Sequence, residues 1–336
     1  MTSSKDTPLQ SLQDLLPKWA HFCLYTEKFI THELNVDLKE KKIVIGVSGG
    51  VDSTALLLVL HYLSPRLGCH VIAAHLNHTL RDEADDDARW VQELCASLNI
   101  KCLVNSQDIR ALAKVMGTGL EEAGRSARYS FFNEVLQSHS AQYIALGHHL
   151  DDLSEDVLMR FIRGTGWPGL SGMSGYDPDR NLIRPFLMLP KSTLKAFVTH
   201  VGVLWREDAT NAESDMTRNR VRNEILPLLL KENPNFRDSV GRLWKIGRIE
   251  SDYWEKMTQD ASDTLSADLL DASHKAARLR LYKACLDRLG PGQALAHTLF
   301  NLDEAWQEKR VGAVLQFPGE KTATITASGM VFATTH

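Results

Sequence analysis

Between about residue 41 and 185 the chain alternates short, nearly all-apolar runs with longer stretches in which apolar residues recur every three or four positions. The runs at 43–47 (IVIGV), 70–75 (HVIAAH), 100–104 (IKCLV) and 142–146 (QYIAL) are short and rich in β-branched residues, as strands covered on both faces should be. Between them, 51–63, 84–98 and 119–137 have helical spacing. In the last, Leu120, Ala123, Ala127, Phe131 and Val135 fall on one stripe. Strand, helix, strand, helix predicts right-handed crossovers and an open parallel sheet with helices on both faces.

After about 186 the pattern changes. Helical segments are expected at 190–201, 219–230, 235–258, 274–289 and 293–309, and short strands at 313–317, 322–326 and 330–334. The stretch 164–180, GTGWPGLSGMSGYDPDR, is rich in Gly, Pro and Ser and reads as a loop; a loop of this length suits a function as well as a plain linker. The expected organisation is an N-terminal helical lead-in at 1–40, a sheet domain at 41–215, a mainly helical domain at 216–310 and a short β element at 311–336.

Composition narrows the class. At 43% hydrophobic and 24% charged the 336 residues are those of an ordinary globular protein, and no apolar run reaches the ~18 residues of a membrane span. The start, MTSSKDTPLQ, has no basic segment leading into an apolar core, so a secretory signal is not expected. Five scattered cysteines with no C-x-x-C argue against a disulfide framework or a zinc ribbon, and a reduced, cytoplasmic setting is the expectation. The net charge of −4 does not announce a nucleic-acid binder, but residues 181–250 carry 12 Lys/Arg against 8 Asp/Glu. A local basic face can bind phosphates on an acidic chain, and solvated helix faces would give the same counts.

The candidate chemistry starts where the first strand meets the first helix, in Ser48-Gly49-Gly50-Val51-Asp52-Ser53. Glycines there let backbone N–H groups approach phosphate oxygens, and a helix N-terminus adds partial positive charge. At this loop neither the lysine-bearing P-loop nor G-x-G-x-x-G is present. An aspartate beside phosphates makes sense if a metal lies between them, because Mg²⁺ prefers oxygen ligands and bridges phosphates. Further on come His75-x-Asn77-His78-x-x-Arg81, Arg125-x-x-Arg128-Tyr129, Gly147-His148-His149-x-Asp151-Asp152 with Glu155, Arg184-Pro185-Phe186 and Arg218-Asn219-x-x-Arg222. One of the adjacent acids could simply cap a helix, and Arg218, Arg220 and Arg222, two apart, cannot share one helix face.

The SGGVDS string resembles the loop of the PP-loop (N-type ATP pyrophosphatase) superfamily, and the ordered set of motifs from about 41 to 230 resembles the tRNA(Ile)-lysidine synthetase family within it. The resemblance implies a Rossmann-like α/β domain followed by a mainly helical one. It implies that ATP adenylates O2 of the wobble cytidine of tRNA(Ile) with a CAU anticodon, after which free L-lysine attacks C2, AMP leaves and the codon read changes from AUG to AUA. By the same resemblance Asp52, Arg128, Asp152 and Glu155 are catalytic, and Asp52 and Asp152 hold Mg²⁺. Ser48, Gly49, Gly50, Val51, Asp52, Ser53, His75, Asn77, His148 and His149 hold ATP, and Arg81, Arg218, Arg220 and Arg222 contact tRNA. A homodimer is compatible, and no membrane is involved.

The chain departs from many relatives in having Asp151-Asp152-Leu153-Ser154-Glu155-Asp156 where they have D-D-Q-x-E-T, so nothing is assigned to Leu153. It is also shorter than relatives with two further C-terminal domains. Rival readings are an amide-forming synthetase for NAD or GMP, which should lack R-x-x-R-Y and R-N-x-x-R, and a tRNA sulfur-transferase, which normally needs paired cysteines. A non-catalytic nucleotide sensor would not need Asp151, Asp152 and Glu155 grouped together.

Overall fold

In the computed structural model, residues 11–80, 84–206 and 216–335 are described. Arg81 and most of the 206–217 stretch lie outside them. The chain forms two compact units: residues to Gly164 with Gly172–Leu243, and Thr165–Ser171 with Trp244 onward.

The first unit is built on a six-stranded sheet. Helix α1 (Pro17–Lys28) precedes β1 (Lys42–Gly46), α2 (Val51–Leu67), β2 (His70–Asn77), α3 (Ala84–Ser97), β3 (Lys101–Ser106), α4 (Ile109–Met116), α5 (Leu120–Ser138), β4 (Tyr143–Ala145) and α6 (Leu150–Ile162). The strand order is β3-β2-β1-β4-β6-β5, where β5 is Tyr176–Asp177 and β6 is Leu182–Ile183. The pairs β1–β2, β2–β3, β1–β4 and β4–β6 are parallel, as the alternating pattern predicted.

The edge differs from expectation: β5 pairs antiparallel with β6, inside and just beyond the stretch read as a loop. Two-residue strands are too short to show any periodicity, so turn residues dominate that part of the sequence.

The pleat divides the core. Val44 is level with Ile72 and with Ile144, and all three point with Ala74, Leu76 and Leu146 towards Phe131, Phe132 and Val135 of α5. On the opposite face α2 packs with α1 and with α7 (Lys191–Val201), where Trp19, Phe22 and Phe197 bring their rings within 4.9–5.9 Å of one another. Each such fully buried side chain stabilises the fold by about 1.5–3 kcal/mol of transfer free energy.

The expected helix at 219–230 is broken into α8 (Met216–Arg220), one wide π turn (Val221–Ile225) and α9 (Leu226–Glu232). Pro227 lies in the first turn of α9 and has no N–H to donate to Asn223, so the preceding turn opens rather than continuing as α-helix. Then α10 (Phe236–Thr258) begins.

In the second unit β7 (Thr264–Ser266), α11 (Ala267–Ala272), α12 (Lys275–Arg288), α13 (Ala296–Gln307), β8 (Val314–Phe317), β9 (Lys321–Thr326) and β10 (Gly329–Thr334) follow in order. The antiparallel sheet β7-β10-β9-β8 shares one core with α12 and α13 through Tyr282, Leu286, Leu302, Phe317, Ile325 and Phe332. Inside it Arg278 grips Asp303 with two hydrogen bonds of 2.6 and 3.1 Å, and the Tyr282 hydroxyl donates to the same carboxylate. Strand β7 was not expected, being three residues of mixed polarity.

Among the described residues no helix is long and apolar enough to cross a membrane.

Candidate nucleotide-binding and catalytic site

Strand β1 ends in a loop that is tied down from several sides. The Val47 N–H donates to the Ala74 carbonyl at 2.9 Å, and the Val47 carbonyl accepts from His75 Nδ1 at 2.8 Å, which anchors the loop to β2. Burial holds His75 below its ordinary pKa. With Nδ1–H donating, its buried Nε2 is an acceptor without a partner.

Gly49 has φ +92°, a conformation that a side chain would strain, and its carbonyl accepts from the Arg206 N–H at 2.9 Å. Ser53 Oγ donates to the Gly50 carbonyl at 3.0 Å and lies 3.1 Å from Ser48 Oγ. Since its one proton is spent on Gly50, Ser48 must be the donor between them. No side chain caps α2, so its first N–H groups face whatever occupies the loop mouth, the arrangement that binds anions.

Strand β4 delivers the second half of the site. A Cβ on Gly147 would lie 2.8 Å from the Asp52 carbonyl oxygen, so only glycine lets the end of β4 pass against the first turn of α2. His149 is thereby placed with Nε2 3.5 Å from Asp52 Oδ2, and Lys191 Nζ reaches the same oxygen at 3.2 Å. Asp52 Oδ1 is buried and has no partner.

His149 is the N-cap of α6. The Asp152 N–H donates to its Nδ1 at 3.4 Å, and Asp152 Oδ2 accepts the His149 N–H at 3.0 Å. Burial alone would lower the His149 pKa, but the carboxylates of Asp152, Asp52 and Asp151 outweigh it and the net shift is upward. His148 goes the other way. Burial pushes it down to about 3 against the pull of Asp152, and Arg184 Nε donates to its Nδ1 at 3.3 Å, a bond only the neutral ring accepts.

Among the acids of α6, Asp151 has partners of its own, while Asp152 and Glu155 share two arginines. Asp151 accepts the Lys191 N–H at 2.9 Å and pairs with Arg237 at 2.6 Å, joining the starts of α6, α7 and α10. Glu155 is 2% exposed and takes Arg222 Nε at 2.6 Å on one oxygen, with Arg218 Nε at 3.1 Å and Arg222 Nη2 at 2.9 Å on the other. Asp152 Oδ1 is 3.5 Å from Arg218 and 3.4 Å from Arg222. Burial would raise the Asp152 pKa, but His149, His148, the His149 N–H and Arg218 hold it below its ordinary value.

Of the arginines two apart, Arg218 and Arg222 face α6 while Arg220 is exposed beside Thr217. Arg128 is exposed on α5. Asn77 fixes the end of β2, its amide donating to Asp85 at 2.7 Å and its carbonyl accepting from the Thr79 N–H.

Sequence reasoning passed over Lys191, gave Arg184 no role within Arg184-Pro185-Phe186, and counted Arg237 among the basic residues of 181–250. Lys191 had a detectable signal: a cation at the first position of a helix opposes the helix dipole, which calls for a nearby anion.

Asp52 fits a magnesium ion. Its buried Oδ1 is unpartnered, and Mg²⁺ on a nucleotide takes one or two carboxylates, with phosphate and water completing its shell. Among the described residues no group of three His, Cys, Asp or Glu could hold a metal, so a protein-only cage is not what the site offers. Asp152 would have to release an arginine or the His149 N–H to join Asp52.

An uncapped α2 N-terminus, a glycine turn before it and an acid in its first turn, at the carboxyl end of a parallel sheet, define an ATP-binding protein of the PP-loop class. The PP-loop domain family matches residues 25–229. The chain is 44% identical over 315 residues to the tRNA(Ile)-lysidine synthase of Nitratidesulfovibrio vulgaris, spanning 86% of this chain and 91% of that protein. Identity to the Petrotoga mobilis tRNA(Ile)-lysidine synthase is 40%, over 65% of this chain and 70% of that one. For the Bacillus subtilis enzyme it is 37%, over 67% of this chain and 48% of that longer protein. The chain belongs to the tRNA(Ile)-lysidine synthase family. Among solved structures it is similar to the U34-tRNA thiolase NcsA from Methanococcus maripaludis with its [4Fe-4S] cluster, at a TM-score of 0.57 and 19% identity, covering 67% of this chain and 77% of that one. At that identity the likeness concerns the fold.

Proposed function

We propose that this chain is an ATP-dependent ligase that converts the wobble cytidine of tRNA(Ile) with a CAU anticodon to lysidine, so that the tRNA reads AUA instead of AUG. Cytidine O2 attacks the α-phosphorus of ATP, the bond to the β-phosphate breaks and pyrophosphate leaves. The amine of free L-lysine then attacks C2, the C2–O bond breaks and AMP leaves. O2 is a poor leaving group, and transfer of AMP onto it makes it a good one.

The observation that carries the reading is the division of labour in one carboxylate. Asp52 has one oxygen held by His149 and Lys191 and one buried oxygen unclaimed, beside an uncapped helix end. The α2 amides with Ser48, Gly49, Gly50, Val51 and Ser53 take the pyrophosphate portion of ATP. Mg²⁺, when bound, supplies charge neutralisation on the phosphates, with Asp52 its first protein ligand and Asp152 its second.

His75 offers its unpartnered Nε2 to the nucleotide, and neutral His148 donates from the nitrogen that Arg184 leaves protonated. Asn77 shapes the mouth of the site from the end of β2. Asp152 and Glu155 receive the ammonium group of lysine and take up its proton as the amine attacks. Arg128, Arg81, Arg218, Arg220 and Arg222 contact phosphates of ATP or tRNA. The reading takes the reaction to be cytoplasmic, where tRNA, ATP and free lysine meet, and is compatible with a homodimer.

Incubating the protein with unmodified tRNA(Ile), ATP and lysine, followed by mass analysis of the nucleosides, tests it. A lysine adduct on cytidine, with pyrophosphate release that needs both lysine and tRNA, is the expected result. Release without tRNA overturns it in favour of a small-molecule ligase.

A further inference from the structure

Three arginines converge on one tyrosine in the first unit. Arg125, one turn before Tyr129 on α5, holds its guanidinium 5.0 Å from the Tyr129 ring centroid. Arg180, in the turn between β5 and β6, approaches the same ring at 5.5 Å. Arg184, just past β6, interacts electrostatically with Tyr129, donates to the Ser174 carbonyl at 2.7 Å and reaches His148 at 3.3 Å.

The cluster is short of negative charge. Asp177 pairs with Arg180 at 2.8 Å and also accepts the Arg180 N–H at 3.2 Å, and Asp179 adds to the field on Arg180. Among the described residues no carboxylate lies within ion-pairing distance of Arg125 or of Arg184, although Arg184 is only 6% exposed. Asp177, already paired with Arg180, acts on Arg184 only from beyond ion-pairing distance; a buried guanidinium so placed is costly, and two more held beside it make the place a receptor for an anion. Arg125 and Arg180 are exposed, and the ring face restrains both side chains, so they lose less freedom on binding a ligand.

We propose that Tyr129, Arg125 and Arg180 form a binding site for a backbone phosphate of the RNA substrate, joined to the catalytic centre through Arg184 and His148. The proposal rests on the tRNA reading above. An RNA phosphate fits better than a free nucleotide because the polyphosphate of ATP already has the uncapped start of α2, whereas this cluster is open. It also joins planar cations to an aromatic face, the combination that takes RNA backbone with an adjacent base. Arg184 makes occupancy consequential, since the same buried side chain that feels Tyr129 and Arg125 donates to His148.

The test measures the Kd of an unmodified tRNA(Ile) transcript against salt concentration, and the Kd of ATP separately, for the wild-type chain, R125A/R180A and the charge-preserving R125K/R180K. The expected result for R125A/R180A is a Kd for tRNA weakened about three- to tenfold, with the slope of log Kd against log salt reduced by about one. Its ATP affinity should be unchanged, and R125K/R180K should restore most of the slope. A tRNA Kd and salt slope equal to wild type, or a loss confined to ATP, overturns the proposal. Wild-type protein that binds no tRNA at all overturns the tRNA reading together with it, whereas wild-type lysidine formation with an unaffected double variant overturns this site alone. Equal thermal midpoints of the two double variants exclude misfolding as the cause of a loss.

Discussion

His149 and Asp52 face each other across the junction of α2 and β4, Nε2 to Oδ2 at 3.5 Å, while the other oxygen of Asp52 is buried with nothing bound to it. The imidazole and Lys191 fix the carboxylate so that Oδ1 is presented in one direction. Asp52→Asn keeps this shape and removes the charge. It should lower tRNA-dependent pyrophosphate release at least about 100-fold, the scale of losing a preorganised electrostatic partner, and leave the thermal midpoint close to wild type. Chelation of divalent ions should abolish wild-type release and its return should follow added Mg²⁺. A variant with near-normal turnover would remove Asp52 from the chemistry.

The pairing of Glu155 with Arg218 and Arg222 is buried on the acid side and a third exposed on the arginine side. Arg222→Ala leaves a buried carboxylate with only Arg218, at a cost of about 3 kcal/mol in unfolding free energy, a loss typical of breaking a buried pair. Glu155→Gln combined with Arg222→Ala should lose less than the sum of the two single changes. Denaturant melts of the four proteins measure the coupling, and strict additivity would show that the contact is energetically idle.

His148 and His149 should give the stability opposite slopes with pH. The folded pKa of His148 is about 3, below the ordinary 6.5, so in between the unfolded chain binds the proton and the folded one does not. Stability is therefore lost as pH falls from about 6.5 towards 3, and His148→Gln should flatten that loss. His149 is raised, so its contribution is full below the unfolded value and disappears as pH rises through the folded one. His149→Gln should be most costly at the acid end. Urea unfolding at several pH values reads both slopes, and parallel curves for both variants would contradict the assignment.

Gly147→Ala should disturb both fold and activity. The new methyl carbon would meet the Asp52 carbonyl, which belongs to backbone and cannot swing aside. Overpacking of this kind costs about 1–3 kcal/mol, and here it should also separate His149 from Asp52. A lowered thermal midpoint together with weaker ATP binding is expected; full activity would mean that α2 yields easily.

The parallel strands and most helices could be read from the sequence because burial imposes a period. Val44, Ile72 and Ile144 are level on one face, and the stripe on α5 meets them. The β5–β6 hairpin, strand β7 and the π turn at 221–225 could not be read so: two are too short for any period, and the third arises from one missing N–H at Pro227. The loop and the paired acids were legible as local strings. What each acid touches was not, because Arg218, Arg222, Arg237 and Lys191 arrive from elements far along the chain. Arg184 drew no assignment since one arginine in an apolar run carries no spacing to betray its reach to His148.

The absence of a side chain at Gly147 has a genetic consequence. Every missense change reachable from a glycine codon by a single base substitution yields a residue with a β-carbon, and each would put that atom against the Asp52 carbonyl. Among first-step missense variants, position 147 therefore has no conservative neighbour. Selection for suppressors of such an allele should return either true revertants or second changes in the first turn of α2, the other half of the contact.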